Sequence, residues 1–160
     1  MSNLQYIRGG SVINKRPFGT DLKRLLQRRD IFSLINGKGC GWMDGGCVTL
    51  ASAFKRWIGP DAETWCFCEG AIPHHVVTRI LKKDIFLDGD GLGTCEDLQD
   101  KLIRLEHLKG SLVLKRINLL HLPDDALTLW DDVAIAVFEN FGERFGAWKH
   151  VKTLRPWGVD

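Results

Sequence analysis

Long apolar runs are missing from this chain: nothing in its 160 residues approaches the ~18 consecutive apolar positions that cross a bilayer. Residues 1–6 are polar and lack the apolar stretch of a secretory leader. A basic excess is missing too. The 22 Lys and Arg face 20 Asp and Glu for a net charge of +2, which excludes the electrostatic footprint of a nucleic-acid binder. Repeats and low-complexity segments are absent. The five cysteines are odd in number, and the chain is not of the small secreted kind, which argues against a disulfide framework. These absences lead to an expectation of a cytoplasmic protein with neither membrane nor nucleic-acid partner, or one delivered into a target-cell cytoplasm without a signal peptide.

What is present fits an ordinary globular chain, 44% hydrophobic and 26% charged. The length suits one domain over residues 1–160, large enough to bury a core without disulfide staples. Basic pairs at Lys23-Arg24 and Arg28-Arg29 read as the wet face of a helix.

Residues 1–18, with Gly9-Gly10 and Pro17, read as an extended arm. Thr20 is placed to cap a helix over residues 21–29 with Leu22, Leu25 and Leu26 on one face. Residues 36–46 carry too many glycines for a regular element and read as a loop. A helix then starts at Cys47, where Cys47, Leu50, Ala51, Phe54 and Ile58 form an apolar stripe, and it ends at Gly59-Pro60. Strand patterns follow over residues 64–68, 75–81 and 84–87, the last two joined over Lys82-Lys83. Thr94 and Asp97 make a capping box for a helix to about His107. Residues 111–119 read as a strand. Asp124 is placed to cap a last helix to about Phe141, with Leu127, Trp130, Ala134, Val137 and Phe141 as its stripe. Residues 148–160 form an irregular tail. The string predicts an α+β domain, a nucleophile helix packed on a small antiparallel sheet.

Chemistry gathers at Gly45-Gly46-Cys47. A helix N-terminus stabilises a thiolate through free N–H groups and the macrodipole, and two glycines let a substrate backbone come close. His75 opens one strand and Asp88 ends the next. If Leu81 pairs with Asp84, then Val77 pairs with Asp88, and His75 becomes a diagonal neighbour of Asp88 on the same face. A carboxylate on one imidazole nitrogen leaves the other to take the thiol proton. Nucleophile, base and orienter thus run Cys47, His75, Asp88, with His74 and Asp90 as alternative base and orienter.

Gly46-Cys47 with Leu50-Ala51 and Phe54, then His75-Val76-Val77 and Ile85-Phe86-Leu87-Asp88-Gly89, resembles the nucleophile helix and the histidine and aspartate strands of papain-like and transglutaminase-like proteins. Arylamine N-acetyltransferases share a similar arrangement. The resemblance covers roughly residues 40–95. It implies a papain-like fold and a cysteine hydrolase or acyltransferase that acts on amide, isopeptide or thioester bonds of a protein or peptide substrate, without a cofactor. Many papain-like enzymes carry a glutamine shortly before the cysteine, whereas residues 40–46 here contain neither Gln nor Asn. The oxyanion and substrate-binding candidates are therefore the Cys47 N–H and the segment holding Trp42, Asp44, Gly45 and Gly46, with Asn36 further off.

Other readings compete. Cys47 alone suits a buried small hydrophobe. Cys66, Cys68, His74 or His75, and Cys40 or Cys47 are zinc-ligand types without zinc spacing, so no metal is expected, and Cys66 and Cys68 read as same-face core residues. The Asp88-Gly-Asp-Gly run lacks an EF-hand glutamate, with Gln99 in its place. Six tryptophans offer groove or interface candidates. A non-catalytic binding or inhibitor module that reuses the fold to engage a protein is the alternative function.

Overall fold

Leu22, Leu25 and Leu26 are buried on one side of helix α1 (Phe18–Gln27), as their spacing requires. The computed structural model describes residues 6–7, 11–12, 17–81, 83–109, 111–122 and 127–151. In the expected arm, Tyr6–Ile7 (β1) and Ser11–Val12 (β2) pair antiparallel. The α1 helix starts earlier than expected, after Pro17, whose carbonyl accepts from the Thr20 and Asp21 N–H groups. Thr20 therefore lies within the first turn and does not cap it. Arg28, with ψ 135°, breaks the helix, and a second one, α2 (Arg29–Asn36), follows and buries Ile31 and Ile35.

The helix expected to open at Cys47 is α3 (Cys47–Ile58), stopped by Gly59 with φ +78°. Strands β3 (Ala62–Glu69), β4 (Ile72–Ile80), β5 (Ile85–Asp88), β6 (Gly91–Gly93) and β7 (Val113–Arg116) form an antiparallel sheet in the order β6-β5-β4-β3-β7. Helix α4 (Cys95–Glu106) has the expected capping box, Thr94 and Asp97 exchanging backbone-to-side-chain hydrogen bonds of 3.2 and 3.3 Å. The last helix, α5 (Asp131–Phe145), begins later than expected: Trp130 is extended and Leu127 precedes it, while the proposed cap Asp124 lies outside the described residues. Of the tail, a 3-10 turn at Trp148–His150 is described.

The architecture is α+β. Helices α1, α2, α3 and α5 share a core with Ala62, Ile80, Ile85 and Leu87 of the sheet. Leu98 and Leu102 of α4 pack with Phe67, Val77 and Phe86, residues of opposite strand parity and so on the other sheet face. The α3–α5 contact is aromatic: Phe54 stacks on Phe141 at 5.0 Å, and Trp57 meets Phe141, Phe145 and Trp148. Such pairs add about 1 kcal/mol each beyond burial. Trp57 and Trp42 are thus core residues, their indoles donating to the Gly146 and Leu26 carbonyls. Among the described residues no helix is long and apolar enough to cross a membrane.

Candidate active site

Residues 41–46 turn tightly into α3. Gly41 N–H donates to Asp44 O at 3.0 Å, while Asp44 N–H and Gly46 N–H both donate to Gly41 O, at 3.3 and 2.9 Å. Gly45 takes φ +85°, open to glycine at little cost. A Cβ on Gly46 would lie 2.6 Å from Gly41 O and 2.7 Å from Ile35 Cγ1. Gly46 is thus required by packing against α2, and the expectation that it opens a path for substrate is corrected. The oxyanion candidates change accordingly. The N–H groups of Asp44 and Gly46 serve the turn, which removes the Asp44 backbone as a donor; the Trp42 indole serves α1, while the Trp42 backbone N–H stays a candidate. The Cys47 N–H, first in its helix, has no intrahelical acceptor.

The β4–β5 pairing has the expected parity. Thr78 faces Leu87, Arg79 faces Phe86 and Ile80 faces Ile85, which continues to Val77 opposite Asp88. His75 and Asp88 meet as this register demands: Nε2 lies 3.3 Å from Asp88 Oδ2, and the residues are 1% and 3% exposed. The other ring nitrogen, Nδ1, is buried with no hydrogen-bond partner among the described residues. Cys47, 6% exposed, lines the same small void as His75, Asp88, Trp42 and Gly89.

His74 is not the loop residue expected. It lies within β4 as the extra residue of a bulge, since Phe67 faces His75 and Cys68 faces Pro73. Its Nδ1 pairs with Glu106 Oε2 of α4 at 2.8 Å, away from Asp88. Asp90 does not contact His75 either. Its N–H donates to Asp88 Oδ1 at 2.8 Å, and its carboxylate meets Lys23 and Lys101.

Electrostatics bind the three groups together. Burial pushes the Cys47 thiol up, but the imidazole of His75 and the backbone N–H groups of Val76 and Val48 outweigh it, and the thiol sits below its ordinary value. Burial pulls His75 down, but Asp88 and Cys47 lift it to about 9. Burial raises Asp88, yet His75 and then Lys101 hold it below the usual carboxylate range. Cys66 shares the cluster of Cys47 but has no cationic neighbour, and burial with Cys68 and Cys47 nearby pushes it up to about 12. Each group is thus shifted toward its charged form, the thiol toward thiolate, the imidazole toward imidazolium and Asp88 toward carboxylate.

Lys101 was not foreseen. Its Nζ lies 3.0 Å from both Asp88 Oδ2 and Asp90 Oδ2, so Asp88 Oδ2 serves histidine and lysine at once. The signal available was weak: three positions beyond Leu98 on a capped helix, Lys101 had to project near the core face, but toward an unknown neighbour.

Cys66 and Cys68 are buried in one cluster with Cys47, Val48, Ala51 and Val76, as their same-face reading predicts. Ile117, Leu119, Leu122, Leu127 and Leu129 pack against that cluster. The void at the thiol has no room for a water molecule. A larger cavity of about 750 Å³ shares Ile117, Leu119 and Leu129 as wall and continues past Ser52, Ala62 and Thr64. Among the described residues no group of three His, Cys, Asp or Glu side chains is placed to hold a metal ion. No protein-family model, curated protein or solved structure matches this chain.

Proposed function

We propose that this protein is a cysteine-nucleophile acyl hydrolase built on a papain-like or transglutaminase-like α+β fold, with Cys47, His75 and Asp88 as its triad. One observation carries the reading: a buried imidazole gives one nitrogen to Asp88 and keeps the other unpaired, beside a thiol at a helix N-terminus. Among the described residues the His74 Nε2 is open as well, but His74 does not share the void of the Cys47 thiol, so it is the thiol beside His75 that marks this imidazole as the proton acceptor.

The Cys47 thiolate attacks the carbonyl carbon of an amide, isopeptide or thioester, and the carbonyl π pair moves to oxygen. The oxyanion is met by the Cys47 N–H. As the intermediate collapses, the bond to the leaving nitrogen or sulfur breaks and imidazolium His75 gives that atom its proton. A thioester to Cys47 remains. Neutral His75 then takes a proton from water, whose oxygen attacks the acyl carbon, and the thiolate leaves with the carboxylic acid as product. An amine in place of water makes the reaction an acyl transfer. Asp88 holds the imidazole orientation and stabilises its charge throughout. The substrate reaches sulfur by displacing the leucines over the thiol, and the adjoining cavity supplies the volume that the void lacks.

The closed thiol favours a second reading, a binding module that keeps the constellation only as structure. Incubation with a p-nitrophenyl acyl ester and intact-mass analysis separates the two. An acyl adduct on Cys47, lost in Cys47→Ala and slow to clear in Asp88→Asn, supports the enzyme; a chain that stays unmodified while folded supports the binding module.

A further inference from the structure

We propose that Lys101 is a positioning residue for this triad, whose ammonium shares the Asp88 carboxylate oxygen with His75 and sets the pH window in which the thiolate–imidazolium pair exists. The inference rests on the triad reading above. Its geometry is a three-group relay from two elements of the sheet and one helix. His75 Nε2 and Lys101 Nζ both approach Asp88 Oδ2, at 3.3 and 3.0 Å. Lys101 is fixed to Asp90 as well, also at 3.0 Å, and Asp90 is fixed by Lys23 of α1 at 3.4 Å. Only 17% of the Lys101 side chain is exposed, so the ammonium acts in a medium where charge is poorly screened. The capping box at Thr94 and the burial of Leu98 and Leu102 fix the helix that carries it.

The charges facing this relay come from every element around it: Cys47 on α3, His75 on β4, Asp88 ending β5, Asp90 in the following turn, Asp97 and Lys101 on α4, and Lys23 on α1. Asp88 strengthens the hold of the imidazolium on its proton. A second cation on the same oxygen shares that charge and keeps the imidazole a usable acid. The sign follows. Removing a nearby cation makes protonation of every neighbouring group easier, so the thiol and the imidazolium both titrate at higher pH without Lys101. A lysine whose charge is neutralised by Asp90, and which only ties α4 to the sheet, would leave both titrations where they are.

The test compares wild type, Lys101→Met and Lys101→Arg by two readouts: the pH midpoint of iodoacetamide labelling at Cys47, mapped by mass spectrometry, and the His75 imidazole titration followed by NMR. Lys101→Met is expected to move both upward by about one pH unit, a roughly tenfold loss of thiolate on the acid limb, and Lys101→Arg is expected to hold both near wild type. Unmoved or downward midpoints in folded Lys101→Met overturn the inference. If Lys101→Met does not fold, Asp90→Asn reads the same network with opposite sign: loss of an anion moves both midpoints down by roughly a few tenths of a unit, and no movement overturns the inference. A wild-type Cys47 that titrates as an ordinary thiol overturns the triad reading and this inference together. A low wild-type midpoint that Lys101→Met leaves in place overturns this inference alone.

Discussion

Replacing His75 by alanine should convert Cys47 from the most reactive thiol of the chain into one of the least. The molecule contains its own reference for the outcome. Cys66 sits in the same buried cluster with no imidazole to offset its burial, and its thiol is pushed up to about 12. Desolvation raises the Cys47 thiol, and it lies below its ordinary value because His75, helped by the Val76 and Val48 N–H groups, outweighs that burial. Without His75 the buried thiol moves up, so the thiolate fraction at neutral pH falls; the greater nucleophilicity of a more basic thiolate recovers part of that loss, leaving a labelling rate slower by roughly one to two orders of magnitude. The assay is second-order iodoacetamide labelling at each cysteine near pH 7, with circular dichroism to show that the variant folds. His75→Gln, which fills more of the space, guards against a cavity that admits water. A Cys47 rate unchanged in both folded variants would refute the reasoning, because burial alone cannot produce a reactive thiol.

Three further outcomes follow from the same geometry. Gly46→Ala should destabilise the fold by about 1–3 kcal/mol in urea denaturation, since its Cβ meets the Gly41 carbonyl and Ile35 at 2.6 and 2.7 Å; wild-type stability would contradict the packing described. Asp88→Asn should lower stability by about 3 kcal/mol near neutral pH, as expected when one member of a buried charged set is removed. Because the folded Asp88 pKa is depressed, its contribution is present above the unfolded value of ~3.9 and fades as pH falls, so the gap between wild type and variant should narrow in acid and not widen. Leu119→Ala should speed labelling of Cys47 without moving its pH midpoint, because Leu119 packs on the thiol cluster but carries no charge; a slower rate would mean that access does not run past this residue.

The meeting of His75 and Asp88 was legible in the sequence because strand parity is a strong constraint. The pairing of Ile80 with Ile85 preserves the register that two-residue arithmetic gives, even though the turn between them holds more residues. Helix α3 was legible at both ends, from Gly46 and from Gly59-Pro60, and α4 from its capping box. Helix α2 was missed, although Ile31 and Ile35 carry its spacing, because neither Gly nor Pro marks the break at Arg28. The start of α5 was placed too early, since Leu127 and Trp130 extend its apolar pattern while lying outside the helix. His74 was misplaced because a bulge inserts one residue into β4, a device without a local signature in this sequence. Lys101 depends on where α4 lands across the sheet, which is a tertiary fact. The glycines before Cys47 were read for chemistry when packing against Ile35 is what requires Gly46.

The central claim is that Cys47 is held as a thiolate by His75 and Asp88. The most direct measurement is the labelling rate of every cysteine in the wild-type protein as a function of pH, with each modified residue mapped by mass spectrometry. The account predicts that the Cys47 rate has its midpoint below the ~8.5 of a free thiol, while Cys66 stays inert until strongly alkaline pH. A Cys47 that tracks Cys66 through neutral pH would contradict it.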